Sequence, residues 1–275
     1  MQGQLRKMHA RLELDSLKPV QYELPLGDQL IALNPLIGKS IKLAYTGKIF
    51  CAHCNRLTKK SFSQGYCYPC FVSLAQCDMC IMKPETCHYE AGTCREPSWG
   101  EAFCFQSHVV YLANSSSIKV GITRQTQVPT RWIDQGAVQA LPIFKVQSRY
   151  ISGLIEIAIA KHVSDKTSWQ QMLKSKAEPI DLVVKRDELI AVCKTELEEI
   201  ARRFGSEAIE LVDEPAVDIH FPVDSYPVKV KSFNFDKDAE VSGVLHGIKG
   251  QYLLLDTGVI NIRKFAGYEV EFFEQ

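Results

Sequence analysis

The sequence predicts an α+β protein. It combines small antiparallel sheets with helices, a cysteine-rich module, and β-rich, barrel-like segments at its N- and C-terminal ends. Three observations predict this. Both ends alternate apolar and polar residues at the strand period. Nine of the ten cysteines fall between Cys51 and Cys104. Between 109 and 204, short apolar runs give way to helical periodicity. The 275 residues suffice to bury a core without staples. Hydrophobic content of 46% and charged content of 23% exclude a disordered, collagen-like or coiled-coil chain.

In chain order, residues 1–50 read as β-rich. PVQYELPL alternates, and Pro35 and Gly38 punctuate LIALNPLIGKSIKLAY. Residues 51–108 form the cysteine module. Residues 109–212 form an α/β core, with strands at 109–113, 117–123 and 141–149 and a helix from Pro129 to Gly136. A second helix is expected at 152–163, capped by Ser152. A third is expected from Asp181 to Phe204, with Gly205 closing it. Its apolar stripe contains Cys193, read as a small core residue. Residues 213–275 begin with an extended crossing and then become all β.

Lys+Arg and Asp+Glu are equal at 32 each, but the charge is segregated. Residues 1–163 carry +7 and the remainder −7. A polyanion would therefore face the first part. The N-terminus has no apolar run of the secretory kind, and no stretch approaches the ~20 apolar residues of a membrane helix. The expectation is a cytoplasmic protein with no membrane partner. In such a compartment, dense Cys-x-x-Cys pairs point to metal.

The ligand types run Cys51-x2-Cys54, Cys67-x2-Cys70, Cys77-x2-Cys80, Cys87, Cys94, then Cys104-x3-His108. Two Cys-x-x-Cys turns complete a tetrahedral Zn²⁺ site. Twelve residues separate Cys54 from Cys67, a spacing that suits a zinc ribbon. Cys77 and Cys80 would take either Cys87 and Cys94 or Cys104 and His108, and a crossed arrangement with Cys51 and Cys54 also fits. The count predicts two zinc ions. Zinc is preferred to an iron–sulfur cluster because paired knuckles in a polar loop suit a closed site. All-thiolate ligation leaves no position for water, so these ions are structural.

Val109-Val110-Tyr111-Leu112, Lys119-Val120-Gly121-Ile122-Thr123, Arg131 and Glu156 together resemble the GIY-YIG nuclease domain. The resemblance implies a GIY-YIG-like sheet with helices, and catalytic roles for Tyr111, Arg131 and Glu156. Arg131 would clamp a phosphate, and Glu156 would hold Mg²⁺ or Mn²⁺. Lys119, Gly121, Arg124 and Gln135 would bind substrate. The pattern departs from the family at Val109, where a Gly is expected, at Lys119, where a Tyr is expected, and at Gln135, where members often have a His. The phosphate-binding side is thus better kept than the proton-transfer side.

CAHCNRLTKKSFSQGYCYPC, PETCHYEAGTCREPSWGE, VGITRQTQVPTRWIDQGA and HGIKGQYLLLDTGVINIRKF resemble the bacterial family called domain of unknown function 2797. That resemblance implies a cytoplasmic bacterial protein and no particular activity. Two functions are expected from the whole. The first is a zinc-stabilised DNA- or RNA-binding protein with a GIY-YIG-like, degenerate phosphodiesterase core. The second is a non-enzymatic zinc-dependent module that binds a protein partner. Trp99 and Trp132 read as small-subdomain cores, and Arg263 and Lys264 as a solvated strand face.

Overall fold

The computed structural model describes residues 1–13, 17–163 and 168–274. Its strands are β1 (Gln2–Gln4), β2 (His9–Arg11), β3 (Gln21–Leu26), β4 (Gln29–Ala32), β5 (Ser40–Phe50), β6 (Leu57–Thr58), β7 (His108–Asn114), β8 (Ile118–Arg124), β9 (Gln139–Val146), β10 (Ile209–Leu211), β11 (Val217–Asp218), β12 (Glu240–Lys249), β13 (Tyr252–Leu255), β14 (Gly258–Asn261) and β15 (Tyr268–Glu274). Its helices are α1 (Tyr68–Ser73), α2 (Pro97–Phe103), α3 (Thr130–Asp134), α4 (Arg149–Ala160), α5 (Trp169–Lys174), α6 (Leu182–Val192) and α7 (Lys194–Phe204).

The two chain ends share one sheet, in the order β1-β15-β5-β12-β13-β14, with β6 added to β5. Every pairing in it is antiparallel. The expected barrel does not close. Each edge is covered by another segment, which removes the unpaired groups that would drive closure. On one side, the amide of Val259 donates to Lys231 O at 2.8 Å, and Phe233 N donates back to Val259 O at 2.9 Å. On the other, β1 runs on into a bridge between Leu5 and Leu26 of β3. The strands β2-β3-β4 form a separate antiparallel sheet.

The third sheet has the order β10-β9-β7-β8, with β11 on β9. Its central strand β7 is buried at all seven positions. Strand alternation sends its side chains into two cores. Val109, Tyr111 and Ala113 enter the core shared with the terminal strands, while Val110 and Leu112 enter a core with Ile151, Ile155 and Ile159 of α4.

Three boundaries differ from the sequence reading. The strand expected at 141–149 is Gln139–Val146, and the helix after it starts at Arg149. Its cap is Ser148, whose Oγ accepts from Ile151 N. Ser152 is buried inside the first turn and donates to Arg149 O at 2.7 Å. The single helix expected from Asp181 to Phe204 is two, broken at Cys193. The break has a physical cause, because α6 packs on β9 and α7 on α4. Asp181 Oδ1 caps α6 by accepting from Val183 and Val184 N at 3.1 and 3.0 Å. Among the described residues, no helix is long and apolar enough to cross a membrane.

Candidate metal cluster and basic cleft

Cys51 and Cys54 lie on the turn that follows β5, and Cys67 caps α1, which carries Cys70. The four sulfurs lie within 4.8 Å of one another. Cys54 Sγ and Cys67 Sγ are 3.7 Å apart. A tetrahedral Zn²⁺ with ~2.3 Å bonds needs sulfurs about 3.8 Å apart, so this set fits zinc. Burial resists ionisation of Cys51, but backbone N–H groups of Cys54, Cys67 and His53 point at its sulfur and bring its pKa down to about 6. A thiolate is the metal-binding form, so the turn favours ionisation at Cys51, while burial and the neighbouring sulfurs push the Cys70 thiol well up. The cluster could hold one zinc ion.

The remaining cysteines lie among short turns. Cys80, Cys87, Cys94 and Cys104 surround one small void. Cys77 is buried outside it, beside Cys51, Arg95 and Glu96. His108 is fully buried at the start of β7, with Nδ1 2.7 Å from Gln106 O. Burial pushes its pKa down to about 4, so the ring is neutral.

A cleft of about 320 Å³ opens beside β8. Gly121, Arg124, Arg131, Gln135 and Glu156 all border it. Tyr111 lies under its floor, fully buried, and its hydroxyl donates to Gln135 Oε1 at 2.8 Å. Burial raises the phenol to about 12; the neighbouring Arg131 lowers it and Glu156 raises it. The phenol therefore keeps its proton at neutral pH. Lys119 sits on an adjoining hollow that shares Glu156. The topology thus brings Tyr111, Arg131 and Glu156 to one place, with Lys119 at its margin.

Gly121 is set by this geometry. A Cβ there would lie 2.7 Å from both Cζ and Oη of Tyr111. Tyr111 has no room to move. Gly121→Ala is expected to cost about 1–3 kcal/mol, read by denaturant unfolding. An unchanged midpoint would mean that the ring does not lie across Gly121.

Three further cations reach the cleft that local sequence did not announce: Lys7, Arg149 and Arg263. Arg263 is therefore not a solvated strand residue. Asp134 organises two of them, with Lys7 Nζ at 2.5 Å and Arg263 at 3.9 Å from its Oδ2. Its side chain is only 4% exposed. Gln251 Nε2 donates to its Oδ1 at 3.0 Å and to Met8 O at 3.1 Å, which ties the N-terminal segment to α3. Charge could have flagged Lys7 and Arg149, which belong to the basic part of the chain, but not Arg263, which lies in the acidic part. Convergence could not be read, because they come from three distant segments. Trp132 is buried against Tyr111, at a ring distance of 5.9 Å, and Trp99 stacks on Phe103 at 4.8 Å.

These features define an α+β protein with open antiparallel sheets, a zinc-type four-cysteine cluster and a basic cleft. The family model described as "Protein of unknown function (DUF2797)" matches residues 38–270, and the chain belongs to that family. No curated protein and no solved structure matches it.

Proposed function

We propose that this chain is a zinc-stabilised nucleic-acid-binding protein whose basic cleft seats a phosphodiester backbone on a GIY-YIG-like core. The observation that carries this reading is the convergence of Arg124, Arg131, Arg149, Lys7 and Arg263 around Gly121. Guanidinium forks suit phosphate oxygens, and a glycine floor lets a backbone approach closely. Glu156 would hold Mg²⁺ or Mn²⁺ together with substrate phosphates, since Mg²⁺ commonly takes one or two carboxylates there. Such an ion would polarise the phosphate when bound. The chain's own contribution is phosphate clamping by Arg131 and placement of Gln135 by the Tyr111 hydroxyl. Tyr111, protonated and buried, is no base at neutral pH, and Gln135 cannot become one. This supports binding in preference to cleavage.

Fluorescence anisotropy with labelled DNA and RNA tests the reading. Binding should fall steeply with added salt, as phosphate contacts require. Arg131→Ala should weaken it roughly tenfold and reduce the salt slope by about 1. Absence of binding to either polymer at low salt would overturn the reading and leave a protein-binding module as the alternative. Cleavage under Mn²⁺ that survives both Glu156→Ala and Arg131→Ala would place any catalysis elsewhere.

A further inference from the structure

Between Asp78 and Ser107, no described apolar side chain other than Pro84 is buried. The segment is instead a chain of turns, Met79–Ile81 and Pro84–Thr86, followed by α2. A stretch so poor in apolar burial needs another source of order. Its centre is a void of about 20 Å³ lined in part by Cys80, Cys87, Cys94 and Cys104. Their sulfurs are not gathered within 4.8 Å as those of the first cluster are, so a bound ion would have to draw them in. A single water needs roughly 10–15 Å³, so the space suits one small ion.

We propose that Cys80, Cys87, Cys94 and Cys104 hold a second Zn²⁺, and that this ion fixes the cleft wall that carries Arg149. Neither Cys77 nor His108 borders the void. Asp78, Cys80 and His88 also approach within 4.8 Å of one another. However, the Asp78 carboxylate is engaged by Arg95 Nε at 2.7 Å. His88 Nδ1 is 2.8 Å from Thr93 Oγ1, and Nε2 is 3.4 Å from Asp78 Oδ2. These side chains bond to one another beside the void, and Arg95 is the cation among them that would offset thiolate charge.

The link to the cleft is direct. Arg149 N donates to the carbonyl of Cys104 at 2.8 Å. Its guanidinium donates to the carbonyl of Ile81, next to Cys80. Ile81, Met82 and Pro84 form the adjoining cleft wall. Pro84 packs so closely on α4 that a Cβ at Gly153 would lie 2.6 Å from its Cβ. Four thiolates around Zn²⁺ carry a net charge of −2, which also draws Arg149 inward.

Elemental analysis of the full chain, purified without chelator, tests this. Wild type should hold two Zn²⁺, and Cys87→Ser with Cys94→Ser should hold one. Cys77→Ser and His88→Gln should each keep two, and both leave the four thiols intact. Two ions in the double variant, one in wild type, or one in Cys77→Ser or His88→Gln would overturn the assignment. Hydrogen exchange on the double variant should open amides at 79–86 and 149 while β12 to β15 stay protected. Protection kept at Arg149 would separate the ion from the cleft wall and overturn that part. Should the double variant fail to fold, a Co²⁺-loaded wild type decides, since two tetrathiolate sites double the charge-transfer absorption of one. Metal content is read without a polynucleotide, so its failure is distinct from failure of phosphate binding.

Discussion

Depleting the chain of Zn²⁺ with a chelator is expected to unfold residues 51–73, including the short strand β6, and leave β1, β5 and β12 to β15 of the terminal sheet intact. The helix α1 has six residues, and none of them is buried. Isolated helices shorter than ~12 residues are marginal in water. α1 is tied through Cys67 and Cys70 to the turn holding Cys51 and Cys54, and otherwise leans on Phe62, whose ring meets Tyr68 and Phe71 at 5.5 and 5.6 Å. Backbone links there are short-range: Ala52 N donates to Gly65 O at 2.7 Å, Cys51 N to Arg56 O at 2.9 Å, and Phe62 and Tyr66 bond each other at 2.8 and 2.9 Å. Structural zinc in small sites supplies apparent binding free energies on the order of 10 kcal/mol, so its loss outweighs those bonds. Hydrogen exchange should show amides 51–73 unprotected in the apo chain and protected again after Zn²⁺ is restored. Cys54→Ser should give the same pattern. Persistent protection of α1 in metal-free protein would show that something else holds it.

The second large effect is expected at Asp134. Asp134→Ala removes the carboxylate that meets Lys7 and Arg263 and accepts from Gln251. Truncating one partner of a buried ion pair costs 3–5 kcal/mol, and Lys7 is 34% exposed, so about 2–4 kcal/mol is expected. Denaturant unfolding measures it. The same change leaves two cleft cations without their counter-charge. Polyanion affinity should therefore rise severalfold while stability falls, with a steeper salt dependence. A loss of both together would mean that Asp134 shapes the cleft more than it neutralises it.

Local chemistry was legible where a residue's neighbours in sequence decide its state. The first two strands of the core stood out by their apolar runs, and the paired cysteines by their spacing. The break at Cys193 was hidden because the stripe through Leu189, Cys193 and Leu197 continues at helical spacing across it. Only the separate packing of α6 and α7 reveals the turn. The strands at the two ends show in their alternation, but the open edges of their sheet depend on residues 231–233 and β3, which cover them. In sequence Arg149 shows only as a charge, since its place follows from the carbonyls of Cys104 and Ile81. The cluster of four cysteines was the best signalled part of the chain, and the extent of the basic cleft the least.

The pairing of β5 has a consequence for synthesis. Its neighbours are β12 and β15, which begin at Glu240 and Tyr268, so both partners lie about two hundred residues downstream. A nascent chain on the ribosome thus carries an eleven-residue strand that, apart from the short local pairing of Ile49 and Phe50 with β6, has two open edges until nearly all of the protein has emerged. Meanwhile the β7–β8–β9 ladder can form from a local stretch of chain. Completion of the terminal sheet is a late event by topology, and the interval before it is when this chain is most exposed to association with its own copies.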